Sequence, residues 1–304
     1  MLKLTRRQRV RLVDLADATI RRTLEGDAGA PAALNHYEAV GSTVSTALPA
    51  TADAWQAPLR PLGLKVNVIG SFSFGAPKVE VVESGVAHCV DLGAVLIIVD
   101  DQSGSTPDRR ALLLGSGLQG ETAQPAQRRL YAEWPAFRFT GAAYGDEWRD
   151  FRSPEAAPAG YFARVELGQG APAWTLSPCA GSGKRRARVS LGGAIVAMFA
   201  GAGGRKATPG GSDAWSRTVD ELLNRTAGAT VAGLGRHPTV RSATTYKSAC
   251  GAGLVVVQTP EGLPLEAAFA QIAAPDYAPP EGPMSVAHFI CRKVEPFDYG
   301  AGTA

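Results

Sequence analysis

Apolar residues recur at helical spacing near the start of the chain. Val10, Val13, Ile20 and Leu24 fall on one side of a helix over residues 5–25, and Thr5 is placed to cap it. The outward positions carry basic side chains, namely Arg6, Arg7, Arg9, Arg11, Arg21 and Arg22. These basic side chains form either a solvated face or a surface for a polyanion or a partner, and the pattern leaves both open.

Strand-sized segments follow one or two further helices predicted over 35–59. Apolar and polar residues alternate over 64–69 and 78–82, whereas 94–99 is continuously apolar, as in a central strand covered on both faces. The polar, turn-rich segment 100–107 separates that strand from a short apolar strand over 110–114. Two strands joined by a short polar loop predict an antiparallel hairpin.

The second half of the chain alternates shorter elements. We predict a helix over 126–133 ended by Pro135, a strand over 161–167, a helix over 212–224 and a strand over 254–258, and we note a short apolar segment over 191–199. The tail from residue 274 is rich in proline and is predicted to be irregular.

The pattern as a whole predicts an α/β fold with a central mixed β-sheet flanked by helices. A segment rich in proline and alanine over 150–160 marks a boundary. We therefore predict an α/β core with its N-terminal helix over 1–150 and a C-terminal α+β extension packed on that core over 151–304.

Composition limits the class of protein. With 304 residues, 45% of them hydrophobic and 19% charged, the chain can bury a sizeable core, which excludes global disorder. The net charge of +3 is too balanced to indicate nucleic-acid or membrane binding by itself. No apolar run reaches the roughly 18–20 residues that span a bilayer, so we expect no membrane partner.

The four cysteines lie far apart, at positions 89, 179, 250 and 291, with no metal-ligand spacing between them. Isolated cysteines favour a reducing, cytoplasmic location over a disulfide scaffold. None of the four histidines falls in a recognisable catalytic motif.

Two glycine-rich segments resemble phosphate-binding loops. Residues 115–120 read GSGLQG, a literal GxGxxG, which in a dinucleotide-binding turn lets the backbone approach a pyrophosphate. Residues 181–184 read GSGK but lack the first glycine and the following Ser or Thr of a P-loop. Nucleotide binding through Gly115–Gly120 is thus one hypothesis, and a plain glycine-rich turn is the other.

The order of four segments resembles that in bacterial proteins of the PD-(D/E)xK, or restriction-endonuclease-like, type. These segments are 66–82 (VNVIGSFSFGAPKVEVV), 91–99 (DLGAVLIIV), 109–114 (RRALLL) and 129–137 (RLYAEWPAF). In those proteins one strand begins with an acidic-Leu-Gly-Asp turn and the next ends in a Gln-x-Lys or related triplet. A Leu-Tyr-x-x-Trp-Pro-x-Phe segment follows.

The resemblance implies a divalent-metal site with Asp91 as its first acidic residue. Glu38, on an earlier helix, and Glu83 would be the further catalytic candidates, and Mg²⁺ would be the cofactor if catalysis survives. The chain departs from the pattern at the second acid, which is Ala94, and at the triplet, which reads Gly115-Ser116-Gly117. An alanine methyl cannot bind a metal, and a glycine cannot replace an ammonium group.

The resemblance therefore implies a degenerate nuclease-like protein that binds DNA, RNA or a partner protein, possible settings including prokaryotic defence. The candidate phosphate contacts are Arg109, Arg110, Lys184, Arg185, Arg186 and Arg188. An active metal-dependent endonuclease using Asp91 and Glu38 is the alternative within the same class.

Overall fold

The computed structural model describes residues 2–25, 36–83, 85–118, 125–152, 159–165, 173–177, 188–234, 243–247, 252–258 and 281–294. Over these ranges the helices are α1 (Arg6–Glu25), α2 (His36–Ser42), α3 (Leu48–Leu59), α4 (Pro125–Glu133), α5 (Leu191–Phe199) and α6 (Ala214–Leu234). A π-helical segment, Thr43–Ala47, joins α2 to α3, and a 3-10 turn, Arg60–Leu62, follows α3.

The first helix begins where the sequence predicts. The backbone amide of Gln8 donates to Thr5 Oγ1 at 3.2 Å, and the amide of Thr5 donates to Gln8 Oε1 at 2.8 Å. This reciprocal cap satisfies two amides that the helix itself leaves unpaired. The buried side of α1 carries Leu12, Ala16, Ile20 and Leu24, which recur every four residues.

The strands are β1 (Leu64–Ser73), β2 (Lys78–Glu83), β3 (Val86–Asp91), β4 (Val95–Asp101), β5 (Asp108–Leu118), β6 (Phe137–Phe139), β7 (Gly160–Val165), β8 (Trp174–Ser177), β9 (Val189–Ser190), β10 (Arg205–Lys206), β11 (Ala243–Lys247), β12 (Gly253–Gln258) and β13 (Ser285–Lys293). Ten of them form one mixed sheet in the order β11-β12-β1-β13-β4-β5-β7-β8-β9, with β10 paired to β5. The pairs β1/β12, β13/β4 and β5/β7 are parallel. A second sheet has the order β3-β2-β6.

The large sheet is covered on both faces, as the continuously apolar β4 predicts. Val95, Ile97 and Val99 face a core built with α1, α3 and α5. Leu96 and Ile98 face a second core built with α4, α6 and the small sheet. The α/β class with a large mixed sheet flanked by helices is therefore confirmed.

The predicted hairpin is also confirmed, because β4 and β5 pair antiparallel with Val95 opposite Leu114 and Asp101 opposite Asp108. The apolar segment 191–199 is the helix α5. Ser190 Oγ caps it by accepting from the amide of Gly193 at 3.0 Å.

The prediction of an irregular tail is wrong for the segment that forms β13. This strand lies between β1 and β4, near the centre of the sheet, and buries Ala287, Phe289 and Cys291. Both of its neighbours are more than 180 residues away along the chain, so no local pattern shows the pairing.

The division at residue 150 stays a prediction. Strands β12 and β13 come from the second range and lie in the same sheet as β1 and β4. Among the helices of the described residues, none is both long enough and apolar enough to cross a bilayer.

Candidate functional site

The turn between β3 and β4 stands where the resemblance places its acidic residues. Asp91 ends β3, and the amide of Leu92 donates to the carbonyl of Pro77 at 2.8 Å. The amide of Ala94 donates to the carbonyl of Leu114 on β5 at 2.7 Å. The turn is therefore tied to the residue that precedes β2 and to β5.

Tyr131, near the end of α4, contacts this turn. The hydroxyl of Tyr131 is buried and donates to the carbonyl of Leu92 at 2.7 Å. The turn also requires glycine at position 93, because a Cβ there would lie 2.7 Å from Tyr131 Oη and 3.1 Å from the carbonyl oxygen of Leu114. The acidic-Leu-Gly turn and the Leu-Tyr-x-x-Trp-Pro segment are thus two halves of one packed unit.

Trp134 and Gly160 complete that unit. Trp134 has φ 46°, in the left-handed region, which ends α4 before Pro135. Its ring lies 5.2 Å from that of Tyr131 and 5.2 Å from that of Phe151, centroid to centroid. A Cβ at Gly160 would lie 2.7 Å from the Tyr131 ring and 3.0 Å from the Trp134 ring, so only glycine allows β7 to begin this close.

The strand opposite the turn carries no metal-binding or cationic side chain at the corresponding positions. Val95 pairs with Leu114, so Ala94 and Gly115 are the next positions along the two strands. Gly115 and Gly117 are buried, and between them the Ser116 hydroxyl is buried with no hydrogen-bond partner in the part of the chain that the structure describes. Within that part, no group of three or more His, Cys, Asp or Glu residues could hold a metal ion.

No family model, curated protein or solved structure matches this chain. The resemblance to the PD-(D/E)xK type therefore depends on the order of residues alone and stays a prediction.

Asp91 and Glu38 lie on different elements, at the end of β3 and on α2. Asp91 is partly buried, and burial raises the pKa of its carboxyl group, which Lys78 on the paired strand β2 partly offsets. Glu38 is half-buried on α2, and α2 packs against β5. Ala39 and Val40, beside Glu38, belong to the core built with α1, α3 and α5, whereas Leu92, beside Asp91, belongs to the other core.

Glu83 lies elsewhere. Lys78 pairs with Asp91 at one end of the β2–β3 hairpin, and Glu83 pairs with Val86 at the other end. Five residues at about 3.3 Å each separate these ends by roughly 16 Å. Glu83 instead forms an ion pair with Arg129 at 2.5 Å, so the structure does not bring the three predicted catalytic carboxylates together.

A charged network that sequence reasoning missed lies at the far end of the hairpin. Arg109 Nε and Nη2 donate to the two oxygens of Asp100 at 2.9 and 3.0 Å, and Arg109 Nη1 donates to Asp220 at 3.2 Å. His288 Nε2 lies 2.7 Å from Asp100 Oδ2. Burial would raise the pKa of Asp100, but the hydrogen bonds from His288 and Arg109 outweigh it and lower the pKa to about 2.

One sequence signal could have found half of this network. An Asp pair ends the buried strand and an Arg pair begins the next, and hairpin register places Asp100 opposite Arg109. His288 and Asp220 arrive from distant segments, so no local pattern shows them.

The predicted phosphate contacts have different surroundings. Arg109 is engaged as described, and Arg110 Nη1 donates to the carbonyls of Gly203 and Gly204 at 3.3 and 3.2 Å. Arg188 is exposed. Lys184, Arg185 and Arg186 lie outside the described residues, as does the rest of the GSGK segment.

The GxGxxG segment does not begin as a turn. Residues 115–118 continue β5 and pair with β7, with Gly115 opposite Phe162 and Gly117 opposite Arg164. A dinucleotide-binding turn needs the glycines between a strand and a helix N-terminus. That geometry is not formed by 115–118, and Gly120 lies outside the described residues.

Proposed function

We propose that this protein is a nuclease-like protein without phosphodiesterase chemistry, and that it acts by binding nucleic acid or a partner protein. The observation that carries the proposal is the contrast at the β4–β5 hairpin. The turn is packed against Tyr131 and Leu114, yet Ala94, Gly115 and Gly117 occupy the positions at which the resemblance expects metal-binding and cationic side chains.

Phosphodiester cleavage of this kind requires ligands that the hairpin lacks. Carboxylates must hold a divalent cation, which polarises the phosphate and activates a water molecule. The described residues offer no cluster of three metal-binding side chains. A protein that keeps the supporting contacts but not the ligands is suited to binding without cutting.

The direct test measures both activities on the purified wild-type chain. Plasmid, single-stranded DNA and RNA are incubated with Mg²⁺ or Mn²⁺, and binding to labelled oligonucleotides is followed by fluorescence anisotropy from low to high salt. We expect salt-dependent binding and no cleavage. Cleavage that is lost in Asp91→Ala would instead establish the active endonuclease.

Introducing metal-binding side chains into the hairpin tests the resemblance to the PD-(D/E)xK type. The triple variant Ala94→Asp, Gly115→Glu, Gly117→Lys introduces two carboxylates and an ammonium group into the hairpin. Gly115 and Gly117 lie in a strand and are not among the described glycines with positive φ, so their backbone accepts a side chain.

The matched control carries Asn and Gln in place of the two new carboxylates, with the same lysine. We expect the acidic variant to bind Mn²⁺ at least about tenfold more tightly by calorimetry than this control. If both fold, as judged by circular dichroism, and bind Mn²⁺ equally poorly, the hairpin is not a metal-site frame and the nuclease kinship fails.

A further inference from the structure

We propose that the outer face of the first half of α1 is the surface that holds the phosphate backbone of a nucleic acid. The inference depends on the proposed nucleic-acid-binding function and assigns it to a surface away from the β4–β5 hairpin. The surface, called here the α1 basic face, consists of Lys3, which precedes the helix, and of Arg6, Arg7, Arg9 and Arg11 on it.

The α1 basic face concentrates the positive charge of the molecule. All five side chains are exposed, and they fall within nine consecutive residues. The whole chain carries +3, so the rest of the chain is net negative by two charges. No ion pair joins any of the five to a carboxylate among the described residues.

The fold by itself gives no reason for this charge. The amino end of a helix carries partial positive charge, so acidic side chains stabilise it and basic ones destabilise it. The first turn of α1 has no acidic residue. Arg7 and Arg11 are also like charges at i and i+4, which repel one another. Thr5 Oγ1 and Gln8 Oε1 accept from the first amides of the helix, and arginine side chains, which have only donors, cannot take that capping role.

The arginines predicted from the hairpin are less available. Arg109 is bound to Asp100 and Asp220, and Arg110 is bound to backbone carbonyls. Taking either out of these contacts would leave buried acceptors without donors. Exposed arginines without carboxylate partners meet phosphate without that loss.

The distribution of apolar residues favours a polynucleotide over a lipid surface. A helix that lies in a membrane interface needs a broad apolar face for the lipid. The apolar side of α1 is buried in the protein through Leu12, Ala16 and Ile20, and only Val10, 52% exposed, stands out among the arginines. Dense positive charge with one apolar side chain is complementary to a phosphate backbone.

The α1 basic face and the positions Ala94, Gly115 and Gly117 lie toward opposite ends of α5. The amide of Leu2 donates to the carbonyl of Phe199 at the end of α5, whereas Asp17 accepts from Gly192 at its start. Ser190 immediately precedes α5 and pairs with Thr175 on β8. Thr175 pairs with Arg164 on β7, and Arg164 pairs with Gly117 on β5, so the start of α5 lies at the level of Gly117. A nucleic acid on this face is therefore held without being presented to Ala94.

The test compares two pairs of substitutions that remove the same charge. Arg7→Gln with Arg11→Gln changes the α1 basic face. Arg22→Gln with Arg217→Gln changes two exposed arginines, one on the far end of α1 and one on α6. Binding of fluorescein-labelled duplex and single-stranded 30-mers is followed by anisotropy between roughly 50 and 200 mM salt.

We expect the first pair to weaken binding at least about tenfold and to lower the slope of log K against log salt by nearly two, as for two lost phosphate contacts. The second pair should stay within about twofold of the wild type. The melting temperature of the first pair should not fall, because removing arginines from the first helical turns relieves repulsion.

Each other outcome identifies what fails. If the wild type binds and both double variants bind as tightly as it does, the assignment of binding to the α1 basic face is wrong, while the proposed function stands. If the wild type binds no oligonucleotide at low salt, the proposed polynucleotide binding fails together with this inference. Binding only to vesicles with 30% phosphatidylserine, lost in the first pair, would overturn the nucleic acid in favour of a membrane surface.

Discussion

The hydroxyl of Tyr131 donates a hydrogen bond to the backbone carbonyl of Leu92 at 2.7 Å. This contact joins two sequence segments, the turn after β3 and the aromatic segment of α4, that lie about forty residues apart. The Tyr131 hydroxyl is the donor for the buried carbonyl of Leu92 in this turn. The turn keeps this hydrogen bond although the side chain of Ala94 cannot bind a metal ion.

Replacing Tyr131 by Phe should destabilise the fold without changing its packing. The ring stays, but the buried carbonyl of Leu92 loses its donor, which costs about 1–2 kcal/mol. Urea unfolding measures this loss. Tyr144→Phe is the comparison, because its hydroxyl makes a longer, partly exposed bond of 3.1 Å to Gly282 and should cost about half as much. Equal stabilities of wild type and Tyr131→Phe would remove the supporting role of the hydroxyl.

Gly93→Ala should destabilise the same turn through a clash. The new methyl would lie 2.7 Å from Tyr131 Oη, which costs about 1–3 kcal/mol as the neighbours shift. In the Tyr131→Phe background the cost should be smaller, because the clashing atom is absent, and a double-mutant cycle measures that coupling. Gly104→Ala is the control, since its methyl meets only an atom 3.8 Å away. Additive effects of the two changes would contradict the clash.

Asp100 should make stability fall at acid pH. Burial opposes ionisation, but hydrogen bonds from His288 and Arg109 lower its pKa from 3.8 to about 2 in the folded protein. Because the folded state binds this proton less readily than the unfolded chain, the stabilisation is fully present above roughly pH 5 and is lost as pH falls through about 2. A lowering of this size corresponds to about 2 kcal/mol.

Urea unfolding between pH 6 and pH 2 checks this pH dependence on wild type and Asp100→Asn. The wild type should lose more stability than the variant over this range, because the variant has no proton to gain at that position. Parallel curves for the two proteins would show that Asp100 is not the group responsible.

Arg149 should depend on its acidic partner Glu221. The arginine is 2% exposed, pairs with Glu221, and donates to Thr218 Oγ1 at 3.0 Å. Arg149→Met should cost about 2–4 kcal/mol, because a half-buried carboxylate is left without its counter-ion. Adding Glu221→Gln should recover much of that loss in chemical denaturation. Glu147→Gln, at an exposed partner of the same arginine, should change stability by less than about 0.5 kcal/mol.

Local patterns are enough to predict the elements that bury one regular face. The helical spacing of apolar residues in α1 and the alternation in β1 and β2 give the right element types, although Val10, predicted on the apolar side of α1, is 52% exposed. The hairpin of β4 and β5 is equally local, since its connection is short and polar.

The candidate site is predicted only in part, for a physical reason. The order of residues places Asp91, Ala94 and Gly115 near one another, and the structure has Asp91 at the end of β3, Ala94 just before β4 and Gly115 on β5 next to the partner of Val95. Whether an arginine faces solvent or a buried carboxylate is not a local property. Arg109 and Arg110 follow a polar loop and suggest a basic surface, yet Asp220 and the Gly203 carbonyl reach them from elsewhere in the chain.

The sequence by itself determined the α/β class, the central hairpin and the absence of a metal-binding side chain at positions 94, 115 and 117, because these depend on short-range pattern and residue type. Only the tertiary structure decided that β13 lies between β1 and β4, that His288 meets Asp100 and that Tyr131 holds the turn. Each of these joins segments separated by dozens to hundreds of residues. Such pairings depend on the packing of the whole chain. A local sequence pattern does not indicate which distant segment will pack against it.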